Sequence, residues 1–422
     1  MKHRIVVLGA GYAGAFSATF LARRLHPDDF EITVVNAEPD FVERLRLHQL
    51  AAGQELRPRP LTKVFAGTGI RLRVARVTAV DVEQQTVTLA TSGGDGIDRV
   101  EYDTLLYALG STIADHGVPG VEEHAYHVAA RPAALRLRAR LDELDAGGRV
   151  LVVGGNLTAI EAATELAESR PKLRVDLVTR SELGSWLGDK ARRHLWRAFD
   201  RFGITVHEHA PIERVEADAA IAADGTAFTA DAQVGGAGFG YLAQRAPPAP
   251  GTPAPSLWGA WFSGAPPSPA ASGLAVESNG QITVDRQLRS VSHPNVYAAG
   301  DSVFVLGDNG LPYPMSCASA GPTSKAATAA IIEDLTGRTV APTTFSYIGN
   351  HISLGRNDGL FQLVDGEARA KPGALRGRAA AQVKTAIIGT AAWAVGHPTF
   401  GKPNRRYHAA PTRKHLPSGS TA

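Results

Sequence analysis

Two glycine-rich turns carry the first recognisable chemistry in this sequence. Gly9-Ala10-Gly11-Tyr12-Ala13-Gly14 follows the apolar run Arg4-Ile5-Val6-Val7-Leu8 and precedes Ala15-Phe16-Ser17-Ala18, a segment with the small residues of a closely packed helix. In such a turn Gly9 permits the tight bend, Gly11 lets backbone approach a pyrophosphate, and Gly14 lets helix and strand pack closely. The helix start then offers free N–H groups and a positive dipole end to the phosphates. Tyr12 and Ala13 lie within the same cradle. An acid is expected at the end of the next strand, Ile32-Thr33-Val34-Val35, to hold ribose hydroxyls, but Asn36 stands there. Asn can still accept one hydrogen bond through its carbonyl.

A second turn repeats the pattern with changes. Arg149-Val150-Leu151-Val152-Val153 leads into Gly154-Gly155-Asn156-Leu157-Thr158-Ala159, with Asn156 in place of the middle glycine and Ala159 in place of the last. Ala is an accepted variant there, whereas Asn156 adds a side chain where a pyrophosphate approaches. The following strand ends at Thr179-Arg180 without an acid. Arg180 could meet a 2′-phosphate, favouring NADPH over NADH; the alternative is a nucleotide site weakened beyond use.

These turns require strand–helix–strand units to position them, and each is embedded in one of about thirty residues, the size of a βαβ crossover. The expected class is α/β with two Rossmann-like dinucleotide-binding domains and a smaller C-terminal region. The 422 residues are long enough for two or three domains. The partition expected is a first dinucleotide domain over 1–115 and 280–340, a second over 116–279 inserted into it, and a C-terminal region over 341–422. Residues 246–270 are rich in Pro and Gly but carry Trp258, Trp261 and Phe262, suited to an irregular excursion. The single cysteine, Cys317, excludes an internal disulfide framework, a cysteine metal site and a redox cysteine pair. No metal site is expected.

From Ala368 to Ala422 there are ten Lys or Arg and no Asp or Glu, so subtracting ten from the net +3 leaves −7 on the first 367 residues. Such asymmetry points to an anionic partner, or to a tail that is merely solvated. No aromatic interleaving marks the tail as a nucleic-acid surface. The start of the chain shows no secretory pattern, and no apolar stretch is long enough to span a membrane, which suggests a cytoplasmic protein.

In their order and spacing the motifs resemble the two-dinucleotide-fold flavoproteins, and within them the type II NADH dehydrogenases. Besides the two turns, the likeness rests on Tyr102-Asp103-Thr104-Leu105-Leu106-Tyr107-Ala108-Leu109-Gly110-Ser111 and on Val118-Pro119-Gly120. It continues in Asp231-Ala232-Gln233-Val234-Gly235 and in His293-Pro294-Asn295-Val296-Tyr297-Ala298-Ala299-Gly300-Asp301. The resemblance implies FAD at the first turn, with Arg44, Gly110, Gly300 and Asp301 around it, and NADH or NADPH at the second. It sets Pro314-Met315-Ser316-Cys317-Ala318 where a helix start faces the flavin, with Ala318 beside the ring and Cys317 either a catalytic candidate there or a small buried hydrophobe. It places His48, in Arg44-Leu45-Arg46-Leu47-His48, alongside the flavin as a proton donor, a covalent anchor or a structural residue. Glu161 corresponds to the glutamate near the meeting point of nicotinamide and flavin, where it would act in catalysis; the alternative is an acid that the helix dipole alone favours at a helix start.

The activity this implies is hydride transfer from NAD(P)H to FAD and on to a quinone or similar small organic acceptor. A rival reading keeps the FAD but has it act directly on a specific small molecule, with the nicotinamide site vestigial; Asn156 favours it. The C-terminal segment His351-Ile352-Ser353-Leu354-Gly355-Arg356 shares the resemblance. Residues 379–393 form an apolar stretch able to lie in a membrane interface but too short to cross one. With the basic tail, this suggests peripheral attachment at the inner face of the cell membrane; a homodimer is also expected.

Overall fold

The computed structural model describes residues 1–91, 97–111, 117–235, 268–339, 343–365, 367, 369–401 and 405–411. The excursion with Trp258, Trp261 and Phe262 lies outside the described residues, as do Lys402, Arg413 and Lys414 of the basic tail.

The chain opens with β1 (His3–Leu8), α1 (Tyr12–Arg24) and β2 (Phe30–Asn36), the crossover expected around the first turn. β1 and β2 pair in parallel, with Ile5 opposite Ile32 and Val7 opposite Val34, and those four side chains are buried. A strand covered on both faces needs such an uninterrupted apolar run. Two short helices, α2 (Leu47–Ala51) and α3 (Leu61–Val64), lead to β3 (Arg71–Asp81), β4 (Thr86–Thr91), β5 (Ile97–Glu101) and β6 (Thr104–Tyr107). The seven-stranded sheet runs from the later strand Val296–Ala298 through β6, β1, β2, β3 and β4 to β5. Its parallel part holds the first glycine-rich turn, while β3, β4 and β5 form an antiparallel extension.

The second sheet is built after α4 (Val121–His124). It contains β7 (Ala125–His127), then α5 (Arg131–Asp142), β8 (Arg149–Val153), α6 (Leu157–Ser169) and β9 (Arg174–Val178). After α7 (Asp189–Phe202) come β10 (Thr205–His207), a three-stranded antiparallel sheet of β11 (Ile212–Val215), β12 (Ala219–Ala222) and β13 (Ala227–Thr229), and β14 (Ala232–Gly235). The five parallel strands lie in the order β10, β9, β8, β14, β7. The chain then returns through β15 (Ile282–Thr283), β16 (Val296–Ala298) and β17 (Val303–Phe304) to α8 (Cys317–Thr336).

The smaller C-terminal region is built of a sheet and a helix. β18 (Gly349–Ser353), β19 (Gly359–Val364) and β20 (Ala370–Arg376) form an antiparallel sheet, and α9 (Arg378–Gly396) lies against it. Ile352, Leu354 and Leu360 of this region join the same apolar core as Ile160 and Leu166 of α6 and Leu195 of α7. The far end of α9 reaches the first sheet's helix, where Thr19 Oγ1 donates to the Val395 carbonyl at 2.7 Å. Tyr407 then bridges Leu25 beyond the end of α1.

Candidate cofactor and acceptor site

The first turn is shaped by contact at two glycines and by open space at the third. A Cβ on Gly9, whose φ is +89°, would lie 2.4 Å from the Ala108 carbonyl oxygen, and one on Gly14 would lie 2.0 Å from the Gly9 oxygen. Neither position can hold a side chain without moving backbone. A Cβ on Gly11 would meet nothing within 4 Å. Gly11 is the N-cap of α1 and no side chain caps that helix. The first N–H groups of α1 therefore face an open cradle, the arrangement that suits a pyrophosphate. This is the observation on which the residues fit FAD.

Around that cradle the polar side chains are already tied together. Asn36 accepts a 2.8 Å hydrogen bond from the Ala10 N–H and donates at 2.7 Å to the Glu38 carbonyl. The carboxamide therefore braces the turn, and the carbonyl expected to serve a ribose is already engaged. Arg44 donates to the Ser111 carbonyl at 2.7 Å, and Ser111 Oγ donates to Asp301 Oδ2 at 2.7 Å. Gly110 N–H is held by Ser302 Oγ at 3.1 Å, and Gly300 N–H by Thr323 Oγ1 of α8 at 3.0 Å. Arg44, Gly110, Gly300 and Asp301 thus meet in one cluster between the ends of β6 and α8. Ser316 caps α8, which begins at Cys317, and Ala318 is half-buried in its first turn. The side chain of Cys317 lies outside the described residues.

The second turn is closed by its own residues. The Asn156 carboxamide oxygen accepts from the Ala159 N–H at 3.0 Å, capping α6. A Cβ on Gly155 would sit 2.5 Å from Thr179 Oγ1. One of the N–H groups that would serve a phosphate is thus satisfied from within, and such a cap stabilises a helix by about 1 kcal/mol. Arg180 is exposed and forms no ion pair among the described residues.

Beyond this turn a buried polar cluster assembles from four elements. Glu161 of α6 accepts from Lys384 of α9 and, at 2.8 Å, from the Ser353 N–H at the end of β18. The paired side chains of Lys384 and Glu161 are only 12% and 13% exposed. Burial alone would push the Glu161 carboxyl up. Lys384, His48 and these hydrogen bonds outweigh it, holding the group below its usual range. His48 of α2 is buried, and burial holds its imidazole below the ordinary value, with Lys384 adding to the effect and Glu161 opposing it. His351 of β18 stacks on Phe361 with ring centroids 4.0 Å apart, and burial with nearby Lys384 lowers it to about 4. At about 4, the His351 imidazole is neutral at pH 7.

The family model described as pyridine nucleotide-disulphide oxidoreductase matches residues 3–245, more than half of the chain. The chain belongs to that family. It is therefore an oxidoreductase, and the family carries the two cofactors that the sequence suggests, FAD and NAD(P)H. An NADH dehydrogenase-like protein of Mycobacterium tuberculosis is 27% identical over 355 residues, covering 79% of this chain and 80% of its own. The demethylphylloquinone reductase of Synechocystis is 24% identical over 375 residues, covering 84% and 85%. Among solved structures, the sulfide:quinone oxidoreductase of Aquifex aeolicus superposes with a TM-score of 0.68 at 20% identity, covering 94% of this chain and 92% of the other. NDH2 of Plasmodium falciparum, in complex with NADH, also gives 0.68, at 13% identity and 96% and 100% coverage. Both likenesses show the two-domain fold expected from the motifs.

Within this pyridine nucleotide oxidoreductase the structure brings His48 and Glu161 to one cluster and the first-turn residues to another. Two members of the buried cluster were missed from the sequence. Lys384 was counted among the charges of a basic tail, and His351 was quoted in a motif without a role. Lys384 lies 223 positions from Glu161, so no local pattern links them. The only hint was a lone Lys inside an otherwise apolar helical stretch.

Proposed function

We propose that this oxidoreductase takes a hydride from NADH or NADPH through FAD and reduces a quinone or similar small organic acceptor. The observation that carries the reading is the buried Glu161–Lys384 pair. It ties the second nucleotide-binding helix to the C-terminal helix and sets a charge-balanced, protonatable group in an apolar interior. Bound FAD supplies a ring that accepts a hydride on one side and yields electrons to a second substrate. Gly11 and the start of α1 hold its phosphates, and the Arg44–Ser111–Asp301 cluster fixes the loop beside them. Glu161 holds a proton-accepting oxygen against Lys384. The single cysteine leaves no partner for dithiol chemistry, so the acceptor is not a disulfide. The names of the relatives, an NADH dehydrogenase-like protein and a quinone reductase, support the same acceptor class.

The reading extends to where the enzyme works. Among the described residues no helix is long and apolar enough to cross a membrane. On the outer side of α9, Ile387 and Trp393 are 38% and 42% exposed, and Phe400 just beyond it is 76% exposed. Trp393 packs against His397 and Phe400, with centroids 4.5 and 5.0 Å away. An aromatic and aliphatic ridge of this kind suits shallow insertion at a lipid interface, where an apolar acceptor would be met. We place the enzyme at the membrane surface by this ridge, with FAD held by the sheet that begins at β1 and the nicotinamide by the sheet around β8.

Anaerobic stopped-flow absorbance tests the reading. Bleaching of the oxidised flavin band by NADH or NADPH, followed by recovery on adding menadione, is the expected result. The faster nucleotide defines the role of Arg180. The Asn156 cap favours a second reading, in which FAD acts directly on an organic substrate. Absence of bleaching by either nucleotide, with FAD retained, would establish that alternative over the first.

A further inference from the structure

The end of β9 is where a dinucleotide fold meets the adenosine ribose. A carboxylate there selects NADH, because it accepts from the ribose hydroxyls and repels a 2′-phosphate. From Val178 to Ser181 this chain has no acid. Thr179 stands at the expected position, but its side chain is turned inward. It is 4% exposed, and its Oγ1 lies 2.5 Å from where a Cβ on Gly155 would be, so the hydroxyl packs beneath the second glycine-rich turn. The first side chain beyond the strand that reaches solvent is that of Arg180. It is exposed and has no ion pair or hydrogen bond among the described residues.

Two backbone hydrogen bonds fix this strand end against the loop after β10. Thr179 N–H donates to the His207 carbonyl at 2.9 Å, and Ala210 N–H donates to the Thr179 carbonyl at 3.0 Å. The His209–Ala210 peptide therefore runs beside the Thr179–Arg180 peptide. His209 is exposed, holds a left-handed φ of 59° and, like Arg180, has no partner among the described residues. Residues with a side chain adopt that conformation rarely, and such outliers cluster at binding sites. The acids flanking these two residues in the chain are Glu182 and Glu208, and both are already engaged. Arg192 of α7 pairs with Glu182 at 2.9 Å and lies 3.9 Å from Glu208. Glu208 Oε1 also accepts from the Leu183 N–H at 2.6 Å. Arg192 thus cancels part of the repulsion that two free carboxylates would exert on a phosphate.

We infer that Arg180 and His209 form a 2′-phosphate site at the end of β9, and that the hydride donor is NADPH. This rests on the proposed transfer from nicotinamide to flavin and deepens it by fixing the nucleotide. The Arg180 guanidinium offers a planar fork of N–H donors that matches two phosphate oxygens. With NADH it meets only a hydroxyl, and no carboxylate holds the ribose. The Asn156 cap already satisfies one N–H that would serve the pyrophosphate, so the adenosine end carries more of the attachment. This end of the nucleotide is remote from the transferred hydride. The preference is therefore one of binding, seen in KM and in affinity for the adenosine half, with similar limiting rates of flavin reduction. Arg192 acts by occupying Glu182 and Glu208 and is a positioning residue.

Calorimetric titration of the FAD-loaded protein with 2′,5′-ADP and with 5′-AMP reads the site without turnover, since the two ligands differ only in the 2′-phosphate. 2′,5′-ADP should bind at least about tenfold more tightly, the yield of one charged hydrogen bond. In anaerobic flavin reduction the KM for NADPH should lie below that for NADH by a similar factor. Arg180→Ala should abolish most of both differences. His209→Gly, which tolerates the left-handed turn, should remove part of them. Both residues are exposed, and melting temperatures establish that the variants fold. Arg192→Ala should weaken 2′,5′-ADP more than 5′-AMP, with recovery in Arg192→Lys; equal weakening of both ligands would overturn its positioning role. Equal binding of the two ligands by wild type, or a difference that survives Arg180→Ala, would overturn the site. Flavin reduction with a KM for NADH at or below that for NADPH would overturn NADPH as donor and leave the hydride reading standing. Failure of both nucleotides to bleach the flavin would overturn the reading on which the site rests.

Discussion

The two glycine-rich turns descend from the same strand–turn–helix logic, yet they have opposite local designs. At the first, Gly9 and Gly14 are jammed against backbone while Gly11 faces empty space, and α1 has no side-chain cap. At the second, Asn156 caps α6 with its own carboxamide and Gly155 is pressed against Thr179. The first turn leaves its N–H groups for an anion to satisfy. The second satisfies one of them internally and so gives up part of its attraction for phosphate. A turn can thus be stable by itself or hungry for a ligand, and the choice lies in one residue at the cap.

The sharpest way to break this contrast is Gly14→Ala. Its Cβ would overlap the Gly9 oxygen, so α1 must move off β1, at a cost of about 3 kcal/mol or more. The expected outcome is a large fall in melting temperature with loss of FAD, checked by thermal denaturation and the flavin spectrum. Gly11→Ala separates ligand binding from folding. Its Cβ touches no protein atom, so the apo-protein should melt as wild type does while FAD affinity falls about tenfold, or about 1.4 kcal/mol. Unchanged FAD binding in a titration would mean that the pyrophosphate does not pass over Gly11.

Asn156→Gly addresses the second turn from the other side. Replacing the cap by Gly should cost only a few tenths of a kcal/mol, and it should lower the KM for NADH or NADPH several-fold by freeing the Ala159 N–H. A higher KM would show instead that the carboxamide itself grips the nucleotide. The smallest effect expected is on pH. His351 falls from the model-peptide value of 6.5 to about 4, so the unfolded chain binds this proton more tightly than the folded one. Its contribution to stability is complete above about 6.5 and is lost as pH falls toward 4. His351→Gln should therefore flatten the drop in melting temperature between pH 7 and pH 4.5, leaving the values above pH 7 close together.

The dinucleotide fold was legible because its signals are local: an apolar run, a glycine turn and a helix of small residues sit next to one another. The C-terminal region was not, because its character comes from partners far away. Lys384 reads as one more tail charge until α9 folds back over α6, and His351 gains its environment only when β18 aligns with Phe361 of β19. Asn36 shows a finer limit. Its hydrogen-bonding capacity was apparent from its type, but the turn's own Ala10 N–H takes it up. Residue chemistry can be read from sequence, whereas allocation among competing neighbours needs three dimensions.

The position of β16 beside β6 also bears on how the protein is made. Leu105 and Val296 pair directly, although the whole second sheet is encoded between them. During synthesis at about 5–20 residues per second, β6 leaves the ribosome on the order of ten seconds or more before its neighbour exists. Until then an apolar parallel strand stands at an open sheet edge, with α8 and the Asp301 loop still missing. The inserted sheet can pair its own strands in that interval, although Ile352, Leu354 and Leu360 complete its core only after β16 has been made. Nascent chains stalled before β16 should therefore be the species most in need of a chaperone.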